Sequence, residues 1–171
     1  MSSLSFSFFL FGNLICWKSK LQPLTAGSTH EAELIALSFA DHEGVWLRRL
    51  IKEIQFAMDC GKMNYVAAVQ SGKENAAPRD AQKYLESLPP TPIFVDNKGT
   101  TQTVNNPVSS AQGSKHLDLR YFQTRDHIRE RKIRVHFIRT HVNVADFFTK
   151  ALPDPAFREF KEILMGSRSK L

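Results

Sequence analysis

Residues 3–20 read SLSFSFFLFGNLICWKSK, and they decide the fold. Leu4, Phe6, Phe8 and Leu10 alternate with Ser5, Ser7 and Phe9, a period of two that belongs to a strand and not to a helix. A second strand-like run follows at 14–19. Gly12-Asn13 stands between the two, the two-residue signal of a tight hairpin. The same opening has the apolar look of a secretory leader. It carries no basic residue ahead of the apolar run and no small-residue cleavage site before Trp17 and Lys18, so the strand reading prevails. No run is long enough to span a bilayer. The expected setting is intracellular, without membrane contact.

Working outward, residues 23–27 read as a loop. Ser28 or Thr29 then caps a long helix to about residue 54, with Glu31 in its first turn. Leu34, Leu37, Leu47, Leu50, Ile51 and Ile54 keep helical spacing and are expected to face a sheet. Asp41, Glu43, Arg48, Arg49 and Lys52 are left for water. Residues 58–91 are polar and punctuated by Gly61, Gly72, Pro78, Pro89 and Pro90. They read as an insertion with one short helix near 80–88. Order resumes at Pro92-Ile93-Phe94-Val95-Asp96, a buried strand ending in a carboxylate. A short helix follows to about 105, a loop at 107–113 and a basic helix at 116–131. Residues 133–139 alternate as a further strand. Two closing helices are expected at 142–150 and 155–165. A hairpin followed by alternating helices and strands predicts an α/β fold with a mixed sheet flanked by helices. One domain covers 1–165, and 166–171 form a tail.

The chain has 171 residues, 42% of them hydrophobic and 11% aromatic, enough apolar surface to exclude a disordered chain. Its +6 charge is local. Between Lys98 and His141 nine Lys/Arg face three acids, a surplus equal to that of the whole chain. Such a concentration points to a polyanion, with nucleic acid first. Cys16 and Cys60 have no Cys or His at metal-ligand spacing, so both read as reduced thiols.

Three acids stand where chemistry would use them. Glu33 lies in the first turns of the long helix, Asp96 ends a buried strand, and Asp146 opens a closing helix. A strand end and two helix starts can bring carboxylates to one point at a sheet edge. Clustered carboxylates repel and require cations, and oxygen-only ligands favour Mg²⁺ or Mn²⁺. Two such ions are a recurrent arrangement for cutting phosphodiesters. Each acid also has a plainer role open to it. Glu33 can serve the helix dipole, Asp96 a turn or cap, and Asp146 a cap or a solvated position.

Five ordered motifs carry a family resemblance. Trp17-Lys18-Ser19-Lys20 leads to STHEAELIAL (28–37), and VWLRRL (45–50) continues it. PIFVDNKG (92–99), SKHLDLRYFQTRDHIRERKI (114–133) and HVNVADFFTKALP (141–153) complete the set. Together they resemble the ribonuclease H domain of copia-type retrotransposon polyproteins, over about residues 4–165 apart from 58–91. The resemblance implies a ribonuclease H-like fold and endonucleolytic hydrolysis of RNA in RNA–DNA hybrids, within a larger Pol polyprotein. It makes Glu33, Asp96 and Asp146 the second, third and fourth catalytic and metal-binding acids, holding two Mg²⁺ or Mn²⁺ ions in an intact site. Glu33 is preferred to Glu31 because the family's acid follows an Ala. Asn97, Lys115, His116, Arg120 and Arg129 would hold the hybrid by its backbone and shape.

The pattern is not complete. The family's first Asp sits on an opening strand, and residues 1–30 contain no Asp or Glu. The expectation is an N-terminally shortened domain without its first strand, impaired in metal binding and with an edge or gap against the long helix. His30 replaces a family Thr, and Leu34 replaces an aromatic. His141, after the strand at 133–139, reads as solvent-exposed. Two other functions compete: a non-catalytic retroelement remnant that binds nucleic acid, and, ranked lowest, an integrase-like or exonuclease relative.

Overall fold

Among the described residues, thirteen apolar side chains are buried in the computed structural model, ten of them on one long helix and three strands. It describes residues 3–22, 27–61, 88–106 and 115–166. Strand β1 (Ser3–Leu10) pairs antiparallel with β2 (Asn13–Leu21). The turn is Phe11-Gly12, one residue earlier than expected. Both residues have positive φ, 52° and 79°, as a primed hairpin turn requires. A bulge at Phe8/Phe9 shifts the register.

Helix α1 (Thr29–Gly61) outruns its expected end near 54 and takes in four residues assigned to the insertion. Ser28 Oγ accepts from the Glu31 backbone N–H, and the Glu31 carboxylate accepts from the Gly27 N–H at 2.6 Å. Glu31 is therefore a capping residue. Strand β3 (Thr91–Val95), helices α2 (Lys98–Asn105) and α3 (Lys115–Arg129), and strand β4 (Ile133–Phe137) follow. β4 lies parallel to β3. The segment 142–150 is not an α-helix. It makes two 3₁₀ turns, Thr140–Val142 and Val144–Phe148. Thr149 and Lys150 leave the helix, although Lys150 still donates to Asp146 O. Helix α4 (Asp154–Leu164) closes the order, with Pro155 in its first turn. Most of the expected loop at 23–27, the loop at 107–113, nearly all of the expected helix near 80–88 and most of the tail lie outside the described residues.

The expected single mixed sheet is instead two pairs, β1–β2 and β3–β4. α1 joins them by packing on both. One cluster unites Ile35 and Ala40 with Leu4 and Phe6 of β1. The other unites Leu37 with Ile93, Val95, Val104, Ile133 and Val135. Burying the Leu, Ile, Val and Phe side chains among them stabilises the fold by roughly 1.5–3 kcal/mol each. Gly44 allows the close approach: a Cβ there would stand 3.1 Å from the Phe8 ring.

Two expected outward faces are corrected. Asp41 is fully buried, accepting from Thr124 Oγ1 at 3.0 Å and contacting His127 Nδ1 at 2.9 Å, which ties α1 to α3. Lys52 is also buried. Conversely, Leu50 and Ile54 are exposed. The helix meets α3 as well as the sheets, so its polar stripe does not match its solvent face.

Candidate functional site

Glu33, Asp96 and Asp146 line one polar cleft of about 460 Å³, together with Ser28, Gln22 and Lys150. Each reaches it for a local reason. Glu33 sits one turn past the Ser28 cap, on the side of α1 that meets both sheets. Asp96 is the first residue after β3. The next residue, Asn97, ends the strand by capping α2, its Oδ1 accepting from the Thr100 N–H at 2.9 Å. Asp146 is buried within the second 3₁₀ turn, which Asn143 caps. Ser5 Oγ donates to Ala145 O at 2.9 Å and so pins that turn to β1.

Burial and crowding shift the charges. Burial, then the Asp96 carboxylate, pushes the Glu33 carboxyl above its usual range; Lys150 opposes this and Asp146 adds to it. Burial also raises Asp146, with Asp96 adding to it, against the pull of Lys150. Lys150 Nζ donates to Asp146 Oδ2 at 2.7 Å. Burial alone would lower the Lys150 ammonium, but that bond and the charges of Asp146, Asp96 and Glu33 raise it instead. Like charges held together in a partly dry cleft favour their neutral forms or a bound cation.

The donors fit a hard cation in kind. All are oxygens, and Gln22 lends a buried Oε1 without a partner among the described residues while its Nε2 donates to Ala32 O. They are not closed around one point. Among the described residues, no three His, Cys, Asp or Glu side chains gather tightly enough to hold an ion by themselves.

The hybrid-binding expectations fare differently. Asn97 is engaged as a cap. Lys115, His116 and Arg120 fall on the first turns of α3, but their side chains lie outside the described residues. Arg129 is exposed and 3.3 Å from Asp126. It lies at the Thr91–Ile133 end of the parallel pair, whereas Asp96 follows the Val95–Phe137 end. Arg129 is therefore remote from the acids. His141 is exposed, as expected. Gln22 and Lys150 were missed as cleft residues. Lys150 is legible as the i+4 partner of Asp146, whereas nothing local marks Gln22. His30 Nδ1 lies 3.2 Å from Thr100 Oγ1, a link across 70 residues that ties α1 to α2.

No family model matches the chain, and no solved structure matches it. Curated relatives do. The retrovirus-related Pol polyprotein from transposon TNT 1-94 of Nicotiana tabacum is 28% identical over 163 residues, covering 95% of this chain and 10% of the relative. Those from transposons RE2 and RE1 of Arabidopsis thaliana are 28% and 27% identical over 146 residues, 85% of this chain and 8% of each relative. The chain spans a tenth or less of the curated relatives it matches. No described helix is long and apolar enough to cross a membrane. Over most of its length, the chain is similar to a short stretch of the retrovirus-related Pol polyproteins of plant transposons.

Proposed function

We propose that this chain is a ribonuclease H-like segment of a retrotransposon Pol polyprotein, and that its carboxylate cleft serves divalent-cation-dependent hydrolysis of the RNA strand in RNA–DNA hybrids. The observation that carries the reading is the meeting of Glu33, Asp96 and Asp146, from three distant parts of the sequence, in one cleft. A phosphate approaching three carboxylates is repelled. A bound Mg²⁺ or Mn²⁺ supplies the opposing charge and lowers the pKa of an attacking water. The chain's own contribution is positional. Glu33, Asp96 and Asp146 would hold the ion, with Gln22 Oε1 within the same cleft. Lys150 orients Asp146 and opposes the rise that burial gives its carboxyl. The exposed cations of the 98–141 segment, Lys98, Arg131, Arg134 and Arg139 among them, suit backbone contacts to a hybrid.

The open arrangement of the acids favours a second reading, a segment that binds nucleic acid without cutting it. One experiment separates the two. An Asp-bearing strand is joined ahead of Ser3 through a hairpin, and a labelled hybrid is incubated with Mn²⁺. Hydrolysis is expected to cut the RNA strand alone and to disappear in Asp96→Asn. Salt-sensitive binding without any cleavage would leave only the second reading.

A further inference from the structure

β3 and β4 bury one face against α1 and α2 and leave the other open. Buried Ile93 and Val95 alternate with exposed Pro92 and Phe94, and buried Ile133 and Val135 with exposed Arg134 and His136. The parallel register sets Phe94 beside His136 and Pro92 beside Arg134, so these four side chains share the outward face. Phe94 is 56% exposed. A lone exposed Phe is ordinary on a protein surface, but this one is paired. Its ring centroid stands 5.6 Å from that of His136, with the planes 31° apart. The two rings make a nearly flat plate, carried on strands whose other face is core. Phe137 offers no such plate, because Lys98 Nζ already stands 5.3 Å from its ring centroid. The four outward positions hold a cation and no acid, and Arg139 is exposed two residues past β4.

We infer that this plate is a stacking site for unpaired bases of a single-stranded nucleic acid, one base on Phe94 and His136 and its neighbour on Pro92 and Arg134. An aromatic ring receives the face of any base. A guanidinium receives one too, while its charge meets the adjacent phosphate. Positions i and i+2 of a strand stand about 6.6 Å apart, so the face offers two such steps in a row along the strands. The bases must be unpaired, since in a duplex each base face is covered by the next pair. The charge and the rings together select this ligand. A purely apolar partner would leave Arg134 desolvated without a counter-charge. An acidic partner without rings would leave Phe94 and His136 unused. A strand of nucleotides meets both. None of the four plate residues lines the carboxylate cleft. The inference shares a polyanionic partner with the proposed function, but it needs neither a bound cation nor cleavage.

The test uses the whole chain in EDTA, which removes divalent cations and cleavage from the readout. The probes are fluorescein-labelled octathymidylate and an abasic strand of the same length and charge, followed by fluorescence anisotropy at low salt. Octathymidylate is expected to bind about tenfold more tightly than the abasic strand, roughly what one aromatic–base stack contributes. Phe94→Leu keeps an apolar side chain and loses the ring. It is expected to weaken octathymidylate by about tenfold and to leave the abasic strand within about twofold, whereas Phe94→Trp keeps or tightens octathymidylate. Should the leucine variant misfold, proton spectra of the parent chain decide: the ring protons of Phe94 and His136 are expected to move upfield with octathymidylate and not with the abasic strand. Equal affinity for the two strands overturns the proposal, as does the absence of binding at low salt. Unchanged affinity in a folded Phe94→Leu chain, or shifts confined to the carboxylate cleft, overturns it too. None of these outcomes bears on the cation-binding reading of the cleft, which hybrid cleavage with Mn²⁺ tests separately.

Discussion

Glu33 and Asp146 are acids whose folded surroundings favour the proton. The folded state therefore binds more protons than the unfolded chain just above the ordinary carboxylate range, and stability falls as pH rises through that window. Glu33→Gln is expected to raise Tm at neutral pH by about 1–2 °C, a small effect because solvent screens a partly exposed group. The gain should vanish below about pH 4, where the wild-type acid is also protonated, and thermal melts across pH check both statements. Asp41→Ala should cost about 3 kcal/mol in urea denaturation, since it removes the acceptor of the buried Thr124 and His127 contacts. Phe11→Asn should gain about 1 kcal/mol by relieving a bulky side chain of positive φ. The three acids were legible as residue types with a shared chemistry. Asp41 was not: its partners stand 83 and 86 residues away, and helical spacing alone placed it with the solvent-facing charges.

At the scale of elements, the strands and long helices were legible because their apolar periods differ and their caps are local. Ser28, Glu31 and Asn97 sit where the sequence puts the helix starts. The 3₁₀ turns at 140–148 were not legible, since Val144, Phe147 and Phe148 mimic a helical stripe. Their course is set by distant contacts: Ser5 holds Ala145 O, Ser19 holds Phe148 O, and Phe147 stacks on Phe157 with ring centroids 5.0 Å apart. The junction of α1 with β1 rests on Gly44. Alanine there would meet the Phe8 ring at 3.1 Å, whereas leucine must push the ring aside. Gly44→Leu is therefore expected to destabilise by roughly 1–3 kcal/mol in urea melts.

For the molecule as a whole, the hairpin-first order correctly implied strands packed with helices, but not that they would divide into two pairs with a gap between. Continuity of a sheet depends on which edges meet, and no single strand's pattern records that. The basic surplus between Lys98 and His141 is likewise shared among elements, α2, α3 and β4 with the turns beside them. If about three phosphates are neutralised, hybrid affinity should fall roughly 40-fold between about 50 and 200 mM salt. Arg129→Ala should leave affinity at the cleft within about twofold, because that residue lies at the far end of the parallel pair. If Glu33, Asp96 and Asp146 form one cation site, Mn²⁺ titration followed by water-proton relaxation should find one weak site that disappears in Asp96→Asn while circular dichroism stays unchanged. Equal Mn²⁺ binding by the wild-type chain and a folded Asp96→Asn variant would contradict it.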